Sequence, residues 1–143
     1  MNHIIYIDGC FDLFHPGYIS FFKKALAQGY GNSSILVGLM TDNQMTDYRC
    51  PPIMNMKERK IMLDACKYVD EIIDQPPMPI TKEFIEKHNI DLVVHGNDIP
   101  DDKLNYWYGE AIKLNKFKVI PYTQDVTTVS IIERIVERSF SRI

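Results

Sequence analysis

The sequence has no apolar run that could cross a membrane and no excess of positive charge. A bilayer-spanning helix needs about 20 apolar residues, whereas the apolar start of this chain reaches only to Asp8 and lacks a basic flank. A signal peptide is therefore not expected either. The formal net charge is −3, whereas general nucleic-acid binders are usually basic. We expect neither a membrane segment nor a nucleic-acid partner.

Cysteine is also scarce. The chain has three cysteines, Cys10, Cys50 and Cys66. An odd number without paired spacing predicts neither a disulfide framework nor a zinc site. Because free thiols are typical of a reducing compartment, we expect a cytoplasmic protein with no metal centre of its own.

The chain does have a regular alternation of short apolar runs and longer amphipathic stretches. Its 143 residues are the usual size of one domain, and no linker or repeat divides them. The apolar runs predict strands and the amphipathic stretches predict helices. The predicted strands are 4–7, 35–40, 69–73, 91–96 and 117–121, and the predicted helices are 18–28, one beginning at Asn55, 81–88, 104–114 and 129–138.

Successive strand–helix units predict a parallel sheet, because parallel strands need crossover connections. We therefore expect one α/β domain over residues 1–143, a Rossmann-like, doubly wound fold with a five-stranded parallel sheet. Ligands of such folds bind beyond the carboxyl ends of the strands, where the strand order reverses. Helical spacing also predicts residues that face the core, namely Ile61, Met62, Ala65, Cys66, Phe84, Ile85, Ile131, Ile132, Ile135 and Val136.

The loop after the first strand carries the strongest functional signal. Gly9 permits a tight turn or the close approach of a ligand, Pro16 suits a first helical turn, and Gly17 removes a side chain beside that helix end. Helix N-termini attract anions, and His15 is placed to donate to a phosphate oxygen. A plain helix start with a surface histidine is the alternative. The combination with Asp12 favours a phosphate-binding loop, although Asp12 fits a turn residue equally well.

Residues 9–18, Gly-Cys-Phe-Asp-Leu-Phe-His-Pro-Gly-Tyr, resemble the nucleotide-binding signature of the cytidylyltransferases, which reads Gly-x-Phe-Asp and then His-x-Gly-His. Further segments resemble the same family in the same order, namely 52–55 with 58–59, 68–72, 82–99 and 123–128. The segment 82–99 is similar to the phosphocholine and phosphoethanolamine branches in particular. Several motifs in order are more specific than one motif alone.

The resemblance implies transfer of CMP from CTP to a phospho-alcohol, with release of pyrophosphate. Phosphocholine or phosphoethanolamine is the implied acceptor, with glycerol 3-phosphate as an alternative. Mg²⁺ is implied as the companion of the nucleotide, and a homodimer as the assembly. An adenylyltransferase of the wider superfamily would share the fold, and only the resemblance of residues 94–98 favours cytidine.

The family's site residues fall on identifiable positions of this chain. The implied catalytic residues are His15, which contacts the triphosphate, and Arg49, which stands where the phosphocholine enzymes have a lysine. The implied acceptor-binding residues are Tyr108, Trp107 and Asp101, since aromatic rings attract ammonium groups. A solvated arginine and a packed core ring are the alternatives for Arg49 and Trp107. The implied nucleotide-binding residues are Gly9, Phe11, Asp12, Gly17, Tyr18, Asp42, Gly96, Asp98, Thr123, Thr127 and Thr128.

Four positions depart from the family's pattern. Tyr18 replaces the second signature histidine, and Met78 stands at a tryptophan of the choline pocket. Tyr122 and Asp125 replace the arginine and the glycine of the C-terminal motif. Tyrosine keeps a hydrogen-bond donor but stays neutral, and each loss of about 1.4 kcal/mol slows a reaction about tenfold. The second hypothesis is therefore a catalytically impaired descendant that binds a nucleotide or a partner without turnover.

Overall fold

The computed structural model describes residues 2–122 and 126–141. Its centre is a sheet of five strands, which are β1 (His3–Gly9), β2 (Ser33–Leu39), β3 (Glu71–Asp74), β4 (Leu92–His95) and β5 (Phe117–Val119). The described helices are α1 (Pro16–Leu26), α2 (Asp42–Tyr48), α3 (Met56–Asp64), α4 (Lys82–Lys87), α5 (Asp101–Lys113) and α6 (Thr128–Ser141).

The strands lie in the order β3-β2-β1-β4-β5, and every neighbouring pair is parallel. The chain moves outward from β1 through β2 to β3, and then crosses to the other side of β1 for β4 and β5. The strand order thus reverses between β1 and β4, which is where open α/β sheets bind their ligands. The predicted fold class is confirmed, and each strand lies within two residues of its predicted ends.

Each face of the sheet has its own core, because alternate strand residues point to opposite faces. Ile5 and Ile7 of β1 pack with α1 and α3, whereas Tyr6 between them packs with α4 and α5. The same alternation separates Val94 from Val93 in β4. Helices thus cover both faces, which explains why the central strands are apolar at nearly every position.

The helix α2 is absent from the sequence prediction. It has seven residues, and its polar composition gives no apolar periodicity. Its start carries a capping box, in which Thr41 Oγ1 accepts from the Gln44 N–H while the Gln44 side chain accepts from the Thr41 N–H. The Thr-x-x-Gln spacing was the available signal. The helix matters because it delivers Tyr48 and Arg49 to the carboxyl edge of the sheet.

The predicted inner face of α3 is wrong. Three of its four predicted residues are exposed, namely Ile61, Met62 and Ala65. The residues that α3 buries are Arg59 and Leu63, and the fourth predicted residue, Cys66, is buried just beyond the helix. Because the charged side chain of Arg59 occupies a core position, the apolar pattern alone predicted the wrong face of α3 to be buried. In α4, by contrast, both predicted core residues are buried.

The helix α6 has no buried side chain. Ile131 and Ile132 of its predicted apolar stripe are half-buried, whereas Ile135 and Val136 are exposed. The prediction that this stripe packs into the core is therefore wrong for its second half. None of the helices in the described ranges is both long and apolar enough to cross a bilayer.

Candidate functional site

The loop after β1 is bent by Phe11 and Leu13, whose left-handed backbone angles are φ 57° and 49°. Such angles are costly for residues other than glycine and persist only where surrounding contacts hold them. Gly9 has no positive φ, so the tight turn, one of the two roles predicted for Gly9, is made by Phe11 and Leu13 instead, and the close approach of a ligand to Gly9 stays a prediction. The Phe11 ring packs in the core against Phe22, which leaves only the Phe11 backbone for a nucleotide.

Asp12, between these two residues, holds the loop in place. Its buried carboxylate accepts hydrogen bonds from the N–H groups of Leu13 at 3.1 Å, Ile53 at 2.8 Å and Met54 at 2.9 Å. Asp12 therefore acts as a turn residue, which was the structural alternative to a nucleotide contact. This carboxylate is engaged by the backbone, and its predicted nucleotide contact is not supported by the geometry.

His15 caps the N-terminus of α1. Its Nδ1 accepts a hydrogen bond from the Gly17 N–H at 3.1 Å, and Pro16 occupies the first helical position, as predicted. Because Nδ1 accepts, the proton of the neutral ring is on Nε2. Burial lowers the pKa of His15 from its usual 6.5, so the ring is neutral at pH 7. The helix start therefore presents a neutral Nε2–H donor.

The Thr128 hydroxyl joins α6 to this loop. Its Oγ1 lies 3.3 Å from the Asp12 carbonyl oxygen, 3.3 Å from His15 Nε2 and 3.1 Å from the Tyr18 hydroxyl. A hydroxyl has one donor and two acceptor sites, so Thr128 donates to the carbonyl and accepts from the other two. Tyr18 also stacks on His15 with ring centroids 4.0 Å apart, and burial raises its pKa to about 12. Four of the predicted residues thus form one cluster.

Two of the predicted glycines, Gly17 and Gly96, leave room for Val126 and Tyr122 to pack close to the backbone. A Cβ on Gly17 would overlap the carbonyl oxygen of Val126 and would lie 2.8 Å from Cε1 of His15. A Cβ on Gly96, just after β4, would overlap the ring of Tyr122. A side chain at Gly17 would therefore displace Val126, and one at Gly96 would displace Tyr122.

Arg49 lies at the end of α2, with its guanidinium carbon 5.8 Å from the centroid of the Tyr48 ring. Burial raises the pKa of both Tyr48 and Tyr122; Asp98 raises both further, and the charge of Arg49 lowers both. Tyr48 and Arg49 follow β2, Asp98 follows β4 and Tyr122 follows β5, so all four residues lie at the carboxyl edge of the sheet. Arg49 is exposed, and no carboxylate among the described residues forms a salt bridge with it.

Arg59 is a site residue that sequence analysis missed. It is fully buried, and its guanidinium donates to the carbonyl oxygens of Met54, Cys10 and Met40 at 2.9–3.0 Å. It also pairs with Asp42 at 2.7 Å. Arg59 thus ties the ends of β1 and β2 to the start of α2. The half-exposed Asp42, a predicted nucleotide-binding residue, is held by this arginine.

Asp8, at the end of β1, is a second missed residue. Its Oδ1 accepts a hydrogen bond from the Tyr108 hydroxyl at 2.6 Å, while its buried Oδ2 has no partner among the described residues. Burial raises the pKa of Asp8, and the neighbouring His95 offsets part of that rise. Buried carboxylates with unmade hydrogen bonds are common at functional sites. Its position directly before Gly9, at the end of a predicted strand, was the available signal.

The three predicted acceptor-binding residues do not form one pocket. Tyr108 is 2% exposed and packs against His95, so its ring has no open face. Trp107 lies on another side of α5, half-buried against Tyr48. Adjacent helical residues point about 100° apart, which explains the separation. Asp101 is exposed in the first turn of α5.

Three predicted nucleotide-binding residues remain. Thr127 precedes α6 and exchanges two hydrogen bonds of 3.0 Å with Ser130. Asp98 is half-exposed and lies 3.7 Å from Nδ1 of His95. Thr123 and the departure at Asp125 lie outside the described residues.

In residues 2–122 and 126–141, no group of three or more histidine, cysteine or acidic side chains is arranged to hold a metal ion. A Mg²⁺ bound to a nucleotide takes most of its ligands from phosphates and water, with one or two protein carboxylates. The half-exposed Asp98 carboxylate, at the carboxyl edge of the sheet, fits that limited role.

A cytidylyltransferase-like family model matches residues 6–140. The matched range includes the first loop, the buried Arg59 and the Thr128 cluster. The chain belongs to the cytidylyltransferase-like family. The sequence resemblance is thereby confirmed over almost its whole length.

Curated cytidylyltransferases are similar to most of this chain. The ethanolamine-phosphate cytidylyltransferase of Dictyostelium discoideum is 36% identical over 135 residues, which cover 92% of this chain and 36% of that protein. The Arabidopsis thaliana protein of the same name is 38% identical over 139 residues, with 93% and 32% covered. A probable choline-phosphate cytidylyltransferase of Schizosaccharomyces pombe is 38% identical over 134 residues, with 92% and 36% covered. The chain thus spans about a third of the length of these relatives.

A solved structure shares the fold of this cytidylyltransferase-like chain. The lipopolysaccharide core biosynthesis protein from Thermoplasma volcanium GSS1 superposes with a TM-score of 0.65, covering 87% of this chain and 98% of its own. At 18% sequence identity, the likeness shows the fold alone.

Two departures from the cytidylyltransferase signature lie inside the described site. Tyr18 takes the place of a histidine and shares the Thr128 hydroxyl with His15. Tyr122 takes the place of an arginine and packs against Phe21, with ring centroids 4.8 Å apart. The first departure keeps a hydrogen-bond donor at the cluster, whereas the second replaces a cation by a neutral ring.

Proposed function

We propose that this chain transfers CMP from CTP to a phospho-alcohol and releases pyrophosphate. The observation that carries the proposal is the cluster of His15, Gly17 and Thr128 at the strand-order reversal between β1 and β4. The N-terminus of α1 and the Nε2–H of His15 are suited to phosphate oxygens. Arg49 ends α2, which follows β2, so this cation lies at the same carboxyl edge of the sheet as the cluster.

In the proposed reaction an oxygen of the acceptor phosphate attacks the α-phosphorus of CTP. A new P–O bond forms, the bond from the α-phosphorus to the bridging oxygen breaks, and pyrophosphate leaves with that electron pair. Negative charge grows on the leaving phosphates, so donors fixed beside them stabilise the transition state. His15 Nε2–H supplies such a donor, and the positive N-terminal end of the α1 dipole adds a favourable field beside it. Arg49 holds the acceptor phosphate against the nucleotide.

We infer that Mg²⁺ enters with CTP. A magnesium ion on the triphosphate would neutralise part of the charge that develops on pyrophosphate. The half-exposed Asp98 carboxylate would assist it. His15 and Arg49 would contact the phosphate groups directly, without the metal ion.

The proposed acceptor is phosphocholine or phosphoethanolamine rather than glycerol 3-phosphate. The relatives reported above carry ethanolamine phosphate or choline phosphate in their names. Asp101 and Asp102 give the first turn of α5 a negative charge, which suits a cationic head group. Glycerol 3-phosphate has no such group.

The test is pyrophosphate release from CTP and Mg²⁺ with each of the three acceptors, and with ATP in place of CTP as the control. We expect turnover with CTP and an amine-bearing acceptor, and none with ATP. A folded chain that turns over no acceptor would overturn the proposal. CTP binding measured by calorimetry in that same sample would then support the impaired descendant.

We further propose a cytoplasmic homodimer that does not bind nucleic acid. A groove of about 540 Å³ is lined by Phe14, Ile19, Met62 and Tyr68 among others, and exposed apolar surfaces of this kind mark contacts. The free cysteines suit a reducing cytoplasm, and the net charge of −3 does not favour nucleic acid. Sedimentation equilibrium should give a dimer for the natural chain and a monomer for Met62→Glu. A monomeric natural chain would refute the dimer.

A further inference from the structure

Three aromatic rings of the loop after β1 contact the ring of Tyr18. Tyr18 stacks on His15 with ring centroids 4.0 Å apart and an interplanar angle of 22°. It also stacks on Phe14 at 5.7 Å and 20°, and the Phe11 ring meets it edge-on at 5.3 Å. Stacked and edge-on arrangements are the favourable ones for aromatic pairs. The contacts therefore hold the Tyr18 ring in one orientation beside His15.

The imidazole of His15 is held by two different contacts. The Gly17 N–H donates to its Nδ1 at 3.1 Å, which fixes the tautomer but not the tilt of the ring plane. The Tyr18 ring lies nearly parallel to the imidazole and covers one of its faces, which fixes the tilt. Together the two contacts set the direction in which the Nε2–H of His15 points.

The Tyr18 hydroxyl is occupied by Thr128, at a distance of 3.1 Å. Burial raises the pKa of Tyr18 to about 12, so the hydroxyl remains a donor at pH 7. When a phosphate oxygen takes the place of Thr128 as the acceptor of the His15 proton, the bond from Tyr18 to Thr128 can persist. The start of α6 then stays in place while His15 binds the phosphate.

We propose that Tyr18 is a positioning residue, which acts through His15 rather than on the nucleotide. The family resemblance implies a nucleotide contact at position 18, whereas the stack on His15 and the bond to Thr128 give the tyrosine this other role. A donor that is already aimed at the developing charge stabilises a transition state without reorganisation. The inference rests on the proposed function, because it concerns the reaction in which His15 takes part.

Two variants at position 18 separate the hydroxyl from the ring. Tyr18→Phe keeps the stack and should lower kcat about 2- to 10-fold, the effect of one neutral hydrogen bond. Tyr18→Leu loses the stack as well and should lower kcat further, but by no more than His15→Asn does. The KM for CTP should change less than kcat in both variants. A raised KM for CTP with an unchanged kcat would show a direct nucleotide contact and overturn the inference.

A double-mutant cycle with His15→Asn provides the decisive measurement. If Tyr18 acts through the imidazole, Tyr18→Leu should change kcat less than about 2-fold once His15 is replaced, because coupled residues are not additive. If Tyr18 acts on the nucleotide by itself, the loss of kcat should be equally large with and without His15. Equal losses would therefore overturn the inference.

Tyr30→Phe is the matched control. The Tyr30 ring also meets a histidine, His3, edge-on at 5.6 Å, but His3 begins β1 and this pair lies at the amino edge of the sheet. The control should leave kcat unchanged. Urea unfolding measures the stability of every variant, and a Tyr18→Leu variant that is less stable but has the natural kcat would show a purely structural role and overturn the inference.

The outcomes separate this inference from the proposed function. If an acceptor is turned over and the cycle is additive, the inference fails and the function stands. If no acceptor is turned over, the function fails, and NMR decides the positioning role through the rate at which the His15 Nε2 proton exchanges with water. His15→Asn identifies that signal among the four histidines of the chain. Faster exchange in Tyr18→Leu than in the natural chain would retain the positioning role, and equal exchange rates would overturn it.

Discussion

The Nε2 atom of His15 lies 3.3 Å from the hydroxyl oxygen of Thr128, although 113 positions separate the two residues. The contact joins the N-terminus of α1 to that of α6. The proton that His15 offers is held by a hydroxyl that also accepts from Tyr18. A phosphate oxygen can replace that hydroxyl as the acceptor while the ring stays fixed through Nδ1.

Replacement of His15 should separate its structural role from its catalytic one. His15→Asn keeps a cap acceptor for the Gly17 N–H, whereas His15→Ala removes it and should lower the free energy of unfolding by about 1 kcal/mol. Both variants lose the Nε2–H, so both should lower kcat about 10²- to 10³-fold. Urea unfolding and pyrophosphate release measure the two effects. A His15→Asn variant with natural kcat would remove His15 from the mechanism.

The pKa of His15 should make stability depend on pH. Because burial lowers this pKa in the folded chain, the unfolded chain, with its ordinary value of about 6.5, takes up the proton first. Stability from this group is therefore complete above about pH 6.5 and falls as the pH drops below it. Urea unfolding at pH 7.5 and pH 5.5 should show a steeper loss for the natural chain than for His15→Asn. Equal losses would contradict the burial of this imidazole.

The local sequence pattern was sufficient to predict the sheet and the first helix. Each apolar run was bounded by turn residues, and the His15-Pro16-Gly17 step has its own capping chemistry. The order in which the strands lie, by contrast, depends on contacts between distant segments. The contact between His15 and Thr128 leaves no trace in either segment alone.

Arg59 and Trp107 show why the rest of the site escaped prediction. Three of the four partners of Arg59 are main-chain carbonyl groups, which every residue type carries, so no sequence motif identifies them. Trp107 and Tyr108 are adjacent in an aromatic run, and the packing of α5 on the sheet decides which ring is buried. The sequence therefore shows that aromatic rings are present in α5, but only tertiary packing determines that Tyr108 is buried and Trp107 is half-buried.

Two glycine-to-alanine changes should have opposite effects. In Gly17→Ala the new methyl group would displace the Val126 carbonyl, and overpacking of this kind costs about 1–3 kcal/mol. Gly109 lies inside α5 with no atom within 4 Å of its added Cβ, so Gly109→Ala should be neutral or stabilising by up to about 1 kcal/mol. Thermal unfolding and calorimetric CTP binding measure both variants. Equal CTP affinity in the two would show that the Gly17 contact does not shape the site.

Removal of the Arg59 guanidinium should destabilise the fold. Arg59→Met leaves three carbonyl groups and the half-exposed Asp42 without their guanidinium donor, and each buried acceptor that loses its partner costs about 1–3 kcal/mol. Arg59→Lys keeps the charge but not the planar fork, so it should recover only part of the loss. Lys60→Met is the control on the same helix, since Lys60 makes a surface pair with Asp74 worth about 0–1 kcal/mol. Unfolding in guanidinium chloride measures the free energy of unfolding of each variant. If Arg59→Met lowers it no more than Lys60→Met does, Arg59 does not hold the loop and strand ends together.

Replacement of Asp8 by asparagine should stabilise the chain and weaken its activity. The asparagine side chain would still accept from the Tyr108 hydroxyl, while the buried negative charge would be gone. Because burial raises the pKa of Asp8 in the folded state, its ionised form opposes folding at pH 7, and this penalty disappears once the pH falls below the unfolded value of about 3.9. Asp8→Asn should therefore raise the unfolding midpoint at pH 7 and make no difference at pH 3.

The cost in function is the second half of this prediction. The unpaired Oδ2 of Asp8 lies at the carboxyl edge of the sheet, and the charge of this carboxylate raises the pKa of Tyr48. Loss of that charge should weaken the attraction of a cationic acceptor. The KM for the acceptor should therefore rise. Asp91→Asn is the control, because Asp91 accepts from the Ile4 N–H at 2.8 Å at the opposite edge of the sheet, and it should raise neither the midpoint nor the KM. A gain in stability joined to a loss of acceptor affinity is expected of a residue retained for function. If Asp8→Asn lowers the midpoint at pH 7, the carboxylate has a stabilising partner and its role is structural.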